Sequence, residues 1–426
     1  MNKPTPNPAY KPLTAATLSA YLATLPVAKQ VLGGKEPEWK IREVGDGNLN
    51  LVFVVEGPAG GLVVKQALPY VRLVGESWPL PLTRAFFESN ALRIQDEHAP
   101  GLTPKVHHAD NDMALIVMEY LTPHIILRKG LIKKTQYPLA ARSIAEFMAR
   151  TLFHTSMLAS TAEAHKARIA LFAPNTALCK ITEDLVFTDP YRTAELNRWT
   201  RPFLDAIKVQ FENDAALKIA VQEKKWQFLT QAEAVIHGDL HTGSVMVTQD
   251  DTRVIDPEFA FVGPMGFDVG AVIANFLLSY FSHRGQQKVP AADPYLAWLL
   301  TQVRDVWEHF ERRFLELWAA HGNGEVFAQG LFEDAASQAR LAEYRKTFVQ
   351  NLFHESLAFA GCKMSRRILG LAHVEDMESI ADLETRARCE TLALTFAREL
   401  VLKARSFHSI ADVTGAAEAH GKAART

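Results

Sequence analysis

Two short segments near the middle of the chain concentrate side chains that could carry out chemistry. Residues 237–244 read HGDLHTGS, and residues 254–258 read VIDPE. They supply three carboxylates, Asp239, Asp256 and Glu258, which a single β-hairpin would bring together. Clustered carboxylates repel one another unless a cation or a proton in transfer uses them. Phosphoryl transfer from a metal-bound nucleotide needs such a set, with one carboxylate at the accepting hydroxyl and others on the metal.

The two segments predict different roles for their carboxylates. Asp239 would accept or orient the proton of the attacking hydroxyl. Asp256 would ligate a Mg²⁺ ion that bridges the nucleotide phosphates, and Glu258 is available as a second ligand. An Asp-Pro pair by itself is only a turn signal, so the prediction depends on the two segments together.

The histidines of HGDLHTGS could in principle form a zinc pair, because two histidines four residues apart share one face of a helix. Gly238 and the strand signals around the segment argue against that helix. We therefore expect His237 and His241 to hold the loop by hydrogen bonds. In many kinases an Asn five residues after the Asp binds a second metal ion, and here that position is Ser244.

Three features of the N-terminal part fit nucleotide binding. The turn GDGNLN at 45–50 has glycines whose backbone N–H groups could cradle phosphates. Lys65 lies in an otherwise apolar strand, where a kinase keeps its phosphate-pairing lysine. Its acidic partner would be Glu88 on the following helix, or otherwise Glu76. Each feature alone is also explained by ordinary structure: a hairpin turn, an outward-facing charge and a solvated helix face.

Hydrophobic periodicity and turn signals predict the elements that position these residues. Strands are predicted at 40–44, 51–56, 62–67, 104–108, 113–119, 244–247 and 253–255. Helices are predicted within 14–32, with a break at Pro26, and at 83–98, 138–156, 200–233, 266–282, 294–321, 334–370 and 385–405. We expect a Pro-rich loop at 74–82 and a frayed tail after Thr414.

This order predicts an α+β, bilobal, protein-kinase-like fold. A small antiparallel β lobe with one main helix, residues 1–118, would bind ATP, and residues 1–35 would form an arm and helices ahead of it. A larger, mostly helical lobe, residues 119–426, would carry the catalytic and substrate groups. The segment VMEYL at 117–121 would connect the lobes and meet adenine through backbone groups.

The composition is that of an ordinary folded protein. Of the 426 residues, 48% are hydrophobic and 22% charged, and the formal net charge is −2. This charge balance does not indicate binding to nucleic acid or to an anionic membrane. Three widely spaced cysteines and an N-terminus without an apolar signal region predict reduced thiols and a cytoplasmic protein. We also expect no membrane-spanning helix.

Longer strings of residues carry a family resemblance. They include GDGNLNLVF at 45–53, VGESWPL at 74–80, DPEFAF at 256–261, GPMGFDVG at 263–270 and RRILGLAHV at 366–374. With HGDLHTGS, they follow one another in family order over about residues 40–405. The chain resembles the 5-methylthioribose kinases, in the aminoglycoside phosphotransferase and choline kinase branch of the protein-kinase-like fold.

The resemblance implies ATP-dependent phosphorylation of S-methyl-5-thio-D-ribose at its 1-hydroxyl, in methionine salvage, by a homodimer that uses Mg²⁺. It also implies roles for individual residues. ATP contacts would come from Asn48, Lys65, Glu119, Tyr120, Leu121, Asp256, Pro257 and Glu258; the metal ligands would be Asp256 and Glu258; Asp239, the catalytic residue, would bind substrate with Arg366 and Arg367.

Physical reasoning on the residues leaves other functions open. A related small-molecule kinase could act on an aminoglycoside, on choline or on another sugar. Arg366 and Arg367 disfavour the cationic acceptors, since those need acidic or aromatic pockets. A nucleotide-binding pseudokinase is the remaining alternative, although Lys65, Asp239 and Asp256 are all present. Adjacent residues on a helix diverge by about 100°, so only one of the two arginines would face the reacting groups.

Overall fold

The computed structural model describes residues 9–45, 49–71, 75–286 and 293–423. Its strands are β1 Lys40–Glu43, β2 Asn50–Glu56, β3 Gly61–Ala67, β4 Tyr70–Val71, β5 Gly75–Pro79, β6 Val106–Asp110, β7 Leu115–Glu119, β8 Ile125–Ile126, β9 Ala234–Ile236, β10 Val245–Val247, β11 Thr252–Val254 and β12 Phe261–Gly263.

Its α-helices follow in the same chain order. They are α1 Ala15–Ala23, α2 Pro26–Leu32, α3 Arg84–His98, α4 Leu127–Ile132, α5 Ala140–Thr155, α6 Ala162–Phe172, α7 Thr176–Phe187, α8 Asp205–Asn213, α9 Ala215–Thr230, α10 Met265–Arg284, α11 Pro294–His321, α12 Ala335–Leu369, α13 Glu375–Glu378, α14 Leu383–Lys403 and α15 Ile410–Ala423.

The N-terminal part is a five-stranded antiparallel sheet in the order β1-β2-β3-β7-β6. Val and Ile dominate β2, β3 and β7, and such β-branched side chains pack well on a pleated surface. Lys65 pairs in register with Val52 on one side and Ile116 on the other. The lysine therefore lies on a central strand, where the backbone is fixed by ladders on both edges.

The N-terminal arm is part of this sheet's core. Leu18, Leu22 and Leu32 from α1 and α2 pack on the apolar side chains of β2, β3 and β7. The fully buried Gln66, next to Lys65, ties the arm down. Its Oε1 accepts from Leu13 N at 2.8 Å, and its Nε2 donates to Lys11 O at 3.0 Å and to the β6–β7 turn.

The C-terminal part is a helical body around α10. Every residue of α10 is buried, and it packs mainly on α12 and α11. Gly270 permits the close approach to α12, because a Cβ there would lie 2.3 Å from Ser356 O. Within the described residues α10 is the one helix long and apolar enough to cross a membrane, and its burial gives it the place of a core helix.

Two small sheets bring the chemical segments together. Strand β10 pairs with both β11 and β8, and β9 pairs with β12, all antiparallel. The loop 237–244 leaves β9 and enters β10, while the segment 255–260 leaves β11 and enters β12. The predicted hairpin thus exists, and it sets Asp239 and Asp256 on neighbouring loops.

The predicted fold class is confirmed, with corrections at particular elements. The loop predicted at 74–82 contains β5, which pairs with β4. The tail predicted to fray after Thr414 is wrong through Ala423, because Val413 and Ala417 bury one face of α15 in the helical core. Helices α6 and α7 were not predicted, since α6 has no clear apolar stripe.

We expect Gln66→Ala to lower the free energy of unfolding by about 2–3 kcal/mol, because it leaves buried backbone groups without partners. Urea denaturation followed by circular dichroism measures this loss. The control is Gln210→Ala, at an exposed position on α8, which should change stability by less than about 0.5 kcal/mol. Equal effects of the two substitutions would contradict the tethering role of Gln66.

Candidate active site

The loop 237–244 is held by one buried carboxylate from α10. Asp268 accepts from His237 N at 2.6 Å and from Gly238 N at 3.1 Å. Gly238 has φ +83°, and a Cβ there would lie 2.2 Å from Phe259 O. The glycine therefore supplies both a left-handed turn and the close approach of the two chemical loops.

The two histidines of the loop hold it by hydrogen bonds, as predicted. His237 Nε2 donates to Ile255 O at 2.9 Å, and His237 Nδ1 accepts from Asp239 N. His241 Nδ1 accepts from Gly243 N at 3.0 Å. Burial lowers the pKa of both imidazoles, for His241 to about 3, so both rings are neutral near pH 7.

Ser244 also belongs to the framework of the loop. Its hydroxyl is buried and lies 3.2 Å from the carbonyl oxygen of Asp239 and 3.1 Å from His241 Nδ1. These contacts give Ser244 a structural place at the position where many kinases have a metal-binding Asn.

The Asp239 carboxylate faces cations from the C-terminal half of α12. Lys363 Nζ donates to Asp239 Oδ1 at 2.7 Å, and Arg367 Nη2 lies 3.7 Å from Oδ2. His241 Nε2 lies 3.4 Å from Oδ2. Burial alone would raise the pKa of Asp239, but Lys363, His241 and Arg367 hold it well below its usual value. The carboxylate is therefore ionised.

Four basic residues lie on this side of the loop, and we call them the cation cluster: the buried Lys363, Arg366 and Arg367, and the partly buried Arg128. Arg128 Nε pairs with Asp376 at 3.2 Å, and its Nη2 donates to Asn275. Arg366 is buried, and within the described residues its Nε and Nη1 have no hydrogen-bond partner. Burial and the neighbouring cations lower the pKa of Arg367 well below its usual value. Positive charge is therefore in excess here.

A second set of charges lies where the sheet meets the loop 255–260. Lys65 Nζ contacts Glu88 of α3 at 2.8 Å and also contacts Asp256. Glu88 is thus confirmed as the partner of Lys65; the side chain of the runner-up, Glu76, lies outside the described residues. Burial raises the pKa of Glu88, and the ammonium group of Lys65 opposes this rise and favours the ionised carboxylate.

Glu258 is fixed by two N-terminal side chains. Asn50 Nδ2 donates to Glu258 Oε2 at 3.1 Å, and Arg84 Nε lies 3.4 Å from the same oxygen. Arg84 is fully buried and also donates to Leu49 O and Leu68 O, both at 2.6 Å. It therefore binds the start of β2, the end of β3 and the acidic loop to one another.

Glu88, Asp256 and Glu258 form the carboxylate cluster. Each can offer an oxygen, and these oxygens all lie within 4.8 Å of one another. Such oxygens suit Mg²⁺, which takes a few carboxylates together with phosphate and water oxygens. The Asp256 side chain is 44% exposed, and its φ of +69° is a strained value of the kind that occurs at functional sites. The cluster fits a divalent cation.

The predicted connector lies at the end of β7. Glu119 accepts from Lys105 N at 3.1 Å, the Tyr120 hydroxyl accepts from Arg42 at 3.1 Å, and Leu121 is buried. Pro257 is buried between the two acidic residues of its loop. Asn48 lies outside the described residues.

Lys363, Arg84, Asn50, Arg128 and Asp268 belong to the site but were not among the predicted residues. Lys363 had a usable signal, because it precedes Arg366 and Arg367 by one helical turn and so shares their face. Arg84 gave none, since its partners lie far away in sequence. Asn50 belongs to the turn GDGNLN at 45–50, but its contact with Glu258 was not predicted. Without the resemblance, Arg366 and Arg367 would have been placed on a solvated face; both are buried.

Fold and site define a phosphotransferase of the bilobal kinase-like class. The model of a phosphotransferase enzyme family matches residues 40–292, more than half of the chain. Among solved structures, an ethanolamine kinase of Plasmodium vivax is similar with a TM-score of 0.47 and 11% identity, over 90% of this chain and 89% of that one.

Two curated relatives narrow the family. Methylthioribose kinase 2 of Oryza sativa subsp. japonica is 46% identical over 408 residues, which cover 95% of this chain and 95% of the relative. A methylthioribose kinase of Escherichia coli O45:K1 is 46% identical over 413 residues, covering 96% and 98%. The chain belongs to the methylthioribose kinase family.

We expect Gly238→Ala to lower the free energy of unfolding by about 1–3 kcal/mol, because it strains a left-handed residue and drives a methyl group into Phe259. The matched control is Gly415→Ala on α15, where a Cβ meets nothing within 4 Å. The control should raise stability by about 0.5–1 kcal/mol. Chemical denaturation compares the two, and a stabilising Gly238→Ala would show that the loop geometry is wrong.

Proposed function

We propose that the chain transfers the γ-phosphoryl group of ATP to the 1-hydroxyl of S-methyl-5-thio-D-ribose, as a step of methionine salvage. The observation that carries this proposal is Asp239, an ionised carboxylate set among the buried cations of α12. The identity of 46% to methylthioribose kinases over nearly the whole chain supports the choice of acceptor.

In the proposed reaction Asp239 accepts the proton of the acceptor hydroxyl as that oxygen bonds to the γ-phosphorus. The bond between the γ-phosphorus and the bridging oxygen breaks, and ADP leaves with the electron pair. The carboxylate is suited to this part because it carries its negative charge at neutral pH. Ser244, His237 and Asp268 hold the loop and leave the proton transfer to Asp239.

The carboxylate cluster would hold Mg²⁺ through Asp256 and Glu258, while Glu88 supports Lys65. Bound there, the ion would neutralise phosphate charge and orient the phosphates. Lys65 contacts Asp256, and we propose that it also pairs with phosphate oxygens of ATP. Pro257, Asn48 and the connector Glu119, Tyr120 and Leu121 complete the proposed nucleotide contacts.

Excess positive charge in the cation cluster supports an uncharged acceptor. Four basic residues face the carboxylates of Asp239 and Asp376. A polycationic aminoglycoside or a quaternary amine would be repelled there, whereas the transferring phosphoryl group would be stabilised. Arg366, with two buried N–H groups that have no hydrogen-bond partner among the described residues, is suited to the sugar or the phosphoryl group.

The test of this function is an acceptor panel. Purified protein with ATP and Mg²⁺ is given methylthioribose, ribose, choline and an aminoglycoside, and ADP release is followed. We expect methylthioribose to have a kcat/KM at least about 100-fold above the others, since the cation cluster repels choline and the aminoglycoside and ribose lacks the apolar methylthio group. Turnover of another acceptor alone would overturn the assignment.

We expect Asp239→Asn to lower kcat by about 100- to 10,000-fold, because the amide cannot accept the proton. ATP affinity, measured by calorimetry, should change by less than about threefold. The control is Asp250→Asn at an exposed turn, which should leave both quantities unchanged. Wild-type turnover by Asp239→Asn would remove Asp239 from its proposed role.

We expect Asp256→Asn and Glu258→Gln each to raise the Mg²⁺ concentration for half-maximal rate by about tenfold or more, since each removes an anionic ligand oxygen. Initial rates at saturating ATP over a Mg²⁺ series measure the shift. A half-maximal concentration equal to that of Asp250→Asn would show that the carboxylate cluster does not bind the metal.

The division into lobes at residues 118 and 119 remains our proposal, in keeping with the end of β7 at Glu119. The cytoplasmic location and the homodimer also remain predictions from composition and resemblance.

A further inference from the structure

Lys363 makes the shortest polar contact of the Asp239 carboxylate. Its Nζ lies 2.7 Å from Asp239 Oδ1, a distance typical of a charge-assisted hydrogen bond. The lysine side chain is only 3% exposed and packs over the Phe267 ring, 4.6 Å from its centroid. Lys363 therefore has a fixed position, set by α12 and α10 rather than by the loop that carries Asp239.

The contacts of Asp239 distinguish its two oxygens. Oδ1 accepts the hydrogen bond from Lys363, while the contacts of Oδ2 with the described residues are longer, 3.4 Å to His241 and 3.7 Å to Arg367. The carboxylate is 19% exposed. Oδ2 is thus the oxygen with capacity left for a new hydrogen bond, and its direction follows from the anchoring of Oδ1.

The charged and titratable groups around Asp239 come from several elements. Lys363, Arg366 and Arg367 face it from α12, and Arg128 of α4 lies beside the two arginines. The neutral rings of His237 and His241 face it from its own loop, whose backbone Asp268 of α10 binds. Arg366 and Arg367 make no hydrogen bond to the carboxylate among the described contacts. Lys363 is therefore the cation whose removal changes the local field most.

We propose that Lys363 is a positioning residue for phosphoryl transfer: it anchors Oδ1 of Asp239, presents Oδ2 to the acceptor hydroxyl and keeps the carboxylate anionic. The proposal rests on the proposed function only for the identity of the acceptor. A cation that holds the base by one oxygen reduces the orientations that the carboxylate samples, and such pre-organisation raises kcat more than it lowers KM.

The first test replaces Lys363 by Met and by Gln and measures kcat/KM against pH. An opposite charge at hydrogen-bond distance lowers a carboxylate pKa by about 1–3 units. In the native chain the Asp239 carboxylate stays ionised at pH values below the ordinary pKa range of Asp. It therefore becomes protonated only at very low pH. Without Lys363 the acidic limb should rise by at least one pH unit, and kcat at pH 7 should fall about 10- to 100-fold with little change in the KM for ATP.

Lys363→Arg keeps the charge but changes the geometry, so it should hold the acidic limb near the native position while kcat falls. The matched control is Lys224→Met, another lysine of the helical core, which lies over the Phe359 ring at 5.6 Å. It contacts α12 but is not among the groups that shift Asp239. The acidic limb of the kcat/KM profile of Lys224→Met should lie at the same pH as in the native chain.

A second measurement needs neither acceptor nor nucleotide. Carbon-13 NMR of Asp-labelled protein, with Asp239→Asn to assign the signal, reports the Asp239 carboxyl directly. Its titration should lie at the lowest pH in the native chain and in Lys363→Arg, and at a pH higher by at least about one unit in Lys363→Gln and Lys363→Met. If one neutral variant does not fold, the other decides.

An unshifted titration of Asp239 and a native acidic limb in the neutral variants would overturn the proposal and leave Lys363 a packing residue. A native chain that fails to phosphorylate methylthioribose would instead overturn the proposed function, because the carboxyl signal would still report the role of Lys363.

Discussion

The ion pairs of Lys65 connect the parts of the site. Lys65 comes from the central strand β3, Glu88 from α3 and Asp256 from the loop after β11, so one ammonium group joins three elements that are distant in sequence. The pair with Glu88 is buried, and removing one partner of a buried pair costs about 3–5 kcal/mol, because the other charge is left uncompensated. The Asp256 side chain is 44% exposed, so its pair with Lys65 contributes less. The sheet, α3 and the acidic loop therefore keep their arrangement through this lysine, with Arg84 bridging Glu258 to β2 and β3.

The carboxylate cluster has an excess of acidic residues, and the cation cluster has an excess of basic residues. Together they fit the metal side and the acceptor side of a phosphoryl transfer. In the carboxylate cluster three acids face Lys65 and Arg84, which suits a divalent cation. In the cation cluster four basic residues face two carboxylates, which suits a phosphoryl group in transfer. Asp239 is anionic in positive surroundings, and its carboxylate can accept a hydrogen bond from an uncharged hydroxyl. The loop 237–244 keeps Asp239 in place because Asp268 binds the loop backbone and Gly238 allows its close approach to Phe259.

Most of the fold could be predicted because its signals lie between residues that are close in sequence. These signals are Val-rich runs, turn glycines and long amphipathic stretches. Helix α15 was missed for the opposite reason: its Ala- and Gly-rich sequence is weakly apolar, and burial against α14 and α11 decides its helicity. Asp239, Asp256 and Glu258 were found from their motifs, and the pairing of Lys65 with Glu88 followed from the element order. Lys363 and Arg84 were not predicted because a lysine or arginine in a helix is ordinarily solvated. Lys363 is buried by the tertiary packing of α12 on α10, and Arg84 by the packing of α3 on the sheet.

The most direct measurement of the central claim is phosphorus NMR of the reaction of the purified protein with ATP, Mg²⁺ and S-methyl-5-thio-D-ribose. The account predicts that the γ-phosphate signal is lost in step with a new sugar phosphate signal, which couples to the single anomeric proton. A product with phosphate on the 2- or 3-hydroxyl, or release of inorganic phosphate alone, would contradict the claim that Asp239 activates the 1-hydroxyl of this acceptor.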